Sequence, residues 1–125
     1  MRTAVTTAAA LLLLATTVAA EPPAEADAIV GRWKLPDGFV VEVVKDGAGY
    51  AGKVFKSDEH PKLLGIPLLR GVAWDGSQHE WHGELYAIKR REWVPMVAKL
   101  KPDGTWLMTA GKAPFTKDLT WTRTG

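Results

Sequence analysis

The chain has 125 residues, 16 basic against 14 acidic, and no cysteine. So even a charge balance gives no electrostatic footprint for nucleic acid, and without cysteine there is no disulfide, no thiol catalysis and no cysteine acylation. The length supports one domain with one core, for which six Trp, two Tyr and three Phe supply large areas to bury.

The first twenty residues differ from the rest. Arg2 is followed by an uncharged run with an apolar heart from Ala8 to Ala15, and Val18-Ala19-Ala20 puts small residues before Glu21. Charge, short apolar core and small-residue exit together predict a secretory signal peptide, residues 1–20, cleaved near Ala20. The apolar heart is short for a bilayer span and no stop-transfer pattern follows, which disfavours a retained anchor. Cleavage leaves 125 − 20 = 105 residues with a net charge of 15 − 14 = +1. The mature protein is then periplasmic or secreted, with no transmembrane segment. Residues 21–28, rich in Pro, Ala and acid, predict a disordered lead-in, and residues 29–125 a single β domain.

Asp-Gly occurs four times, at Asp37-Gly38, Asp46-Gly47, Asp75-Gly76 and Asp103-Gly104, each time between β-branched or aromatic runs. Tight hairpins need positive φ, which Gly and Asp tolerate, so the pattern predicts an antiparallel meander. The predicted strands are 29–34, 39–45, 50–56, 65–74, 80–88, 92–100, 105–110 and 118–123. Residues 57–64 form a loop with room for one helical turn. Phe39, Val41 and Val43 share one face of the second strand. On the fifth, Trp81, Gly83 and Leu85 alternate with His82, Glu84 and Tyr86. About eight short strands hide their edges best by closing into a barrel, with a two-sheet sandwich as the alternative. The chain ends favour closure. If the last strand pairs with the first, Arg123 lies across the indole of Trp33, and Gly31 leaves room for it.

Gly31-Arg32-Trp33 at the start and the C-terminal Arg123 resemble the lipocalin and fatty-acid-binding superfamily. More closely, residues 29–123 resemble the bacterial exported family known as domain of unknown function 2147. The resemblance rests on Gly31-Arg32-Trp33, Gly52-Lys53-Val54, Leu64-Gly65, Leu68-Leu69, Gly71, Asp75-Gly76, Trp81-His82-Gly83 and Trp121-Thr122-Arg123. The chain departs from that pattern at Asp58-Glu59-His60-Pro61 and at Tyr86-Ala87 with Lys89-Arg90-Arg91. The resemblance implies an all-β, up-and-down lipocalin-like barrel and an exported location, and it implies no activity.

Catalytic constellations are sparse. Ser77 and His79 flank a turn with no third group to orient a base. Glu80, His82 and Glu84 share a strand face and could ligate a metal, with His60 as a further ligand; a solvated outer strip opposite Trp81 and Leu85 is the favoured account. The acids are too scattered for paired-carboxylate glycoside chemistry. Lys89-Arg90-Arg91 is either an anion-meeting cluster or a charged turn. Arg70 points inward if it keeps parity with Ile66 and Leu68, and outward if Gly71 marks a bulge.

What remains is shape and apolar surface. The expectation is a non-enzymatic barrel, needing no cofactor, that binds a small apolar or amphipathic ligand. The ligand-binding residues are Trp33, Phe39, Tyr50, Arg70, Trp81 and Trp121, with Gly31, Trp33 and Arg123 structural. A filled barrel serving as an envelope protein–protein interaction module is the alternative. A metal-dependent activity around His82 and Glu84 is the exception kept open.

Overall fold

The computed structural model describes residues 24–124. The expected signal peptide and residues 21–23 lie outside the described residues. Eight strands form one closed antiparallel barrel in sequential order: β1 Gly31–Lys34, β2 Val40–Asp46, β3 Gly49–Lys56, β4 Pro67–Asp75, β5 Glu80–Ala87, β6 Glu92–Leu100, β7 Trp106–Lys112 and β8 Phe115–Thr124. All four Asp-Gly pairs fall at or beside hairpin turns, between β1 and β2, β2 and β3, β4 and β5, and β6 and β7. Closure is made by β1 on β8, with Arg32 opposite Thr124, Trp33 opposite Arg123 and Lys34 opposite Thr122. No sheet edge is left open, as the short-strand pattern requires.

Period-two alternation places the core. Val41, Val43, Tyr50, Val54, Trp81, Met96, Ala98, Trp106, Met108 and Trp121 are all almost fully buried, and their strand neighbours face outward. The indoles gather around Trp106. Trp106 lies 5.4 Å from Trp33 and 5.5 Å from Trp121, centroid to centroid, and 6.0 Å from Trp81. The last two contacts are edge-to-face, a favoured aromatic geometry. Burying one indole contributes up to about 4–6 kcal/mol of apolar transfer. This cluster is the main cohesive element of a fold that has no disulfide.

Two features depart from the expectations. Residues 24–28 are not a disordered lead-in: Ala24–Ile29 is a 3-10 helix with Ala26 and Ile29 buried. It lies against the barrel end formed by the β2–β3, β4–β5 and β6–β7 turns. Its backbone carbonyls accept hydrogen bonds from core indoles, Trp33 Nε1 to Ile29 O at 2.9 Å and Trp81 Nε1 to Ala26 O at 3.1 Å. The Tyr50 hydroxyl donates to Asp27. A segment with a single large apolar residue, Ile29, becomes ordered because its main chain satisfies buried donors. It also delays the first strand to Gly31.

The second departure is in β4. Leu68 and Leu69 are both buried, so strict alternation fails there. Gly71 sits at φ +59°, and the pairing with β5 shifts register between Arg70 and Ala73. Arg70 faces outward by ordinary alternation from Leu69, after the pairing with β3 has already shifted register between Leu69 and Pro67. Val72 then returns inside and crosses Gly83 so closely that a Cβ on Gly83 would meet Val72 Cα and Cγ2 at 2.9 Å. The loop after β3 contains the expected short helical turn, Pro61–Leu63.

Candidate functional site

The two ends of the barrel differ. The 3-10 helix and the indole cluster shut one end. The other end is ringed by the β1–β2, β3–β4, β5–β6 and β7–β8 connections, and a cavity of about 440 Å³ opens there. Its wall is apolar, formed by Leu35, Phe39, Leu68, Leu85, Val94 and Leu119, with the buried Trp121 deepest along its strand. Its rim carries Lys89, Arg90 and Lys117 against one acid, Asp37. An apolar concavity of this size with a few polar groups at its edge is the usual form of a small-molecule site.

The structure divides the six expected ligand residues. Phe39 and Trp121 line the cavity. Trp33, Tyr50 and Trp81 do not; their polar atoms hold the 3-10 helix at the closed end. Arg70 is on the outer surface. Its Nε donates to Glu84 Oε1 at 2.8 Å, and its guanidinium carbon lies 4.1 Å from the centre of the Trp93 ring. It is therefore no lumenal anchor. The cationic groups nearest the cavity are instead Lys89, Arg90 and Lys117. The basic turn 89–91 was visible in sequence, but Lys117 gains its place only when β8 starts at Phe115, three residues earlier than its alternation indicates.

The structural residues hold their expected places. Gly31 has φ +135°, and a Cβ there would approach Arg123 Nη1 to 2.8 Å. Arg123 covers Trp33 and donates to the carbonyls of Val30, at 3.0 Å, and of Ala28.

The histidines are arranged differently from the spacing-based grouping. Glu84 is engaged by Arg70, and His60 stacks on Phe39 at 5.8 Å, at the end of the barrel opposite His82. His82 Nε2 lies 2.6 Å from Glu80 Oε2 and 3.6 Å from Asp75 Oδ2. These three groups could ligate a cation, but the half-exposed imidazole already has two carboxylate partners. Lys99 Nζ stands 3.6 Å from Glu80 Oε1, which answers part of the negative charge. The hydroxyl of Ser77 donates to Asp75 at 2.7 Å, and this bond is the main cause that holds the Asp75 carboxyl below the usual range. Ser77 thus serves the turn, while His79 faces Glu25 at 3.2 Å. The pair forms no nucleophile–base unit.

This architecture is a lipocalin-like barrel. Protein HP1028 from Helicobacter pylori, described as belonging to the lipocalin family, superposes with a TM-score of 0.62 over 78% of this chain and 83% of its own, at 12% sequence identity. That likeness is one of fold. No protein-family model and no curated protein matches the chain.

Proposed function

We propose that the protein binds a small apolar or amphipathic ligand in the open end of the barrel, by shape and apolar contact and without catalysis. The carrying observation is the cavity of about 440 Å³ between Phe39, Leu85, Val94 and Trp121. Its wall favours an apolar chain, and its Lys89, Arg90 and Lys117 rim favours a headgroup with negative charge over a cationic one. The lipocalin-like fold is in keeping with this use, although folds do not dictate functions.

The filled-barrel reading, an interaction module in the cell envelope, draws on one observation: Trp33, Trp81 and Trp121 all pack on Trp106 inside the barrel, with centroids 5.4, 6.0 and 5.5 Å away. The two readings separate on titration. A panel of fatty acids, alcohols and amines of equal chain length should quench or shift the intrinsic Trp emission saturably, with acids bound more tightly than amines. Absence of saturable binding across the panel would remove the ligand reading and leave the interaction module.

Export belongs to the same proposal, as does kinship with domain of unknown function 2147. N-terminal sequencing of protein from its native host should begin at or near Glu21; a chain retaining Met1 would refute export.

A further inference from the structure

We propose that the lip formed by the β5–β6 and β7–β8 turns docks on an anionic lipid bilayer, with Phe115 as the apolar contact. Phe115 is 83% exposed, against 52% for Leu64, the next most exposed large apolar residue described. It opens β8 at the tip of its hairpin and also borders the cavity. A Phe left in water at a hairpin tip is unexplained by the core, which it does not enter.

Its neighbours are basic. Residues 88–92 and 112–117 carry Lys89, Arg90, Arg91, Lys112 and Lys117 against Glu92, which is 5 − 1 = +4. Glu92 pairs with Arg90, and the other four cations form no ion pair among the described residues. Asp118, next along, accepts a hydrogen bond from Thr109 at 2.8 Å on the barrel wall. The facing lip is different in kind: residues 34–39 and 56–66 carry Lys34, Lys56 and Lys62 against Asp37, Asp58 and Glu59, which is 3 − 3 = 0. The net positive charge therefore lies on the side of the mouth that bears the exposed ring.

An aromatic ring set among unpaired Lys and Arg fits the boundary of a bilayer, where the ring enters the headgroup layer and the cations meet anionic lipid. An acidic protein would satisfy the charges, but not a ring standing at the edge of an apolar cavity. Docked this way, the cavity opens at the lipid surface, where amphipathic molecules reside. The docking surface is the lip itself and does not depend on the cavity being filled.

The test uses the mature protein and vesicle flotation. Vesicles of phosphatidylcholine alone are compared with vesicles of phosphatidylcholine and phosphatidylglycerol. The expected result is partition onto the anionic vesicles only, weakening as salt rises. Arg91→Glu with Lys112→Glu should weaken it on the order of tenfold or more, and Phe115→Ser should weaken it as well. Neither Arg91 nor Lys112 lines the cavity, so the double variant should keep the parent's denaturation midpoint and its affinity for the neutral probe N-phenyl-1-naphthylamine. Equal partition onto both vesicle types, no partition onto the anionic ones, or unchanged partition of the variants would overturn the proposal. Loss of probe binding by the parent, with vesicle binding intact, would count against the cavity and not against the docking.

Discussion

Arg123 and Trp33 are partners across the β1–β8 seam, and the guanidinium carbon of Arg123 sits 4.2 Å from the centre of the Trp33 ring. The same guanidinium donates to the carbonyls of Ala28 and Val30, so one side chain joins the last strand, the first strand and the end of the 3-10 helix. Arg123→Ala should lower stability by about 1–3 kcal/mol through loss of the stacking and the two hydrogen bonds. Arg123→Lys should recover only a small part, since an ammonium lacks the planar fork. Chemical denaturation monitored by Trp fluorescence measures both; an unchanged midpoint in Arg123→Ala would show that the contact carries no stability.

Clasping of the 3-10 helix depends on pH at both extremes. The hydrogen bond from Tyr50, followed by Lys45 at 3.2 Å, holds Asp27 below its ordinary range. Its contribution is present above the unfolded carboxyl pKa, about 3.9, and is lost as pH falls through the folded value. Burial, followed by Asp27, pushes the Tyr50 phenol well above its ordinary value. That contribution is present below an unfolded pKa of about 10 and is lost as pH rises further. Stability should therefore decline in strong acid and again in strong alkali. Asp27→Asn should flatten the acid limb, leaving the part due to Asp75 and Asp103, whose turn hydrogen bonds also lower them. Tyr50→Phe should flatten the alkaline limb. Denaturation midpoints across pH give the answer, and parallel profiles for parent and variants would contradict it.

Gly83→Ala should be among the most damaging single-methyl additions. The new Cβ would stand 2.9 Å from Val72 Cα and 3.1 Å from the Arg70 carbonyl, and neither is the free end of a flexible side chain. Separating β4 from β5 around the bulge should cost about 1–3 kcal/mol. A midpoint within error of the parent would show that the sheets yield there without penalty.

Filling the cavity should abolish ligand binding and spare the fold. Val94 lines the wall and borders open space, so Val94→Trp has room that core positions lack. The variant should fold cooperatively and lose saturable titration by apolar chains. Arg70→Ala should titrate like the parent, because Arg70 faces Glu84 and Trp93 outside the barrel. Retained binding in Val94→Trp, or its loss in Arg70→Ala, would move the site elsewhere.

The legible parts of the fold were those written in local signals. Asp-Gly pairs marked four connections, alternation placed Val41, Val43, Trp81 and Leu85 inside, and the chain-end residues Trp33 and Arg123 announced closure. Strand parity could not decide Arg70, because β4 breaks its alternation on both sides of it, at Leu68–Leu69 and at Gly71. Asp75 could not be grouped with His82 by spacing, since the β4–β5 hairpin brings them together across the turn, with Asp75 opposite Glu80. Trp106, the hub of the indole cluster, stood out in no motif. The 3-10 helix was hidden for a deeper reason: its order comes from backbone carbonyls meeting distant indole and phenol groups, which no property of residues 24–29 alone discloses. The aromatic residues were expected to share one lumenal role. They split into helix holders and cavity lining because of the level each occupies along the barrel axis.

The indole-clasped helix makes the barrel a cup and not a tube. A cup has one door. If the cavity carries a ligand as proposed, a newcomer could not displace the occupant from behind, so unloading and loading would follow each other through the same orifice, and the residence time of the first molecule would limit the arrival of the second. Turnover of cargo would then be governed by what happens at the threshold, where Lys89, Lys117 and Phe115 stand, and not by the depth of the vessel.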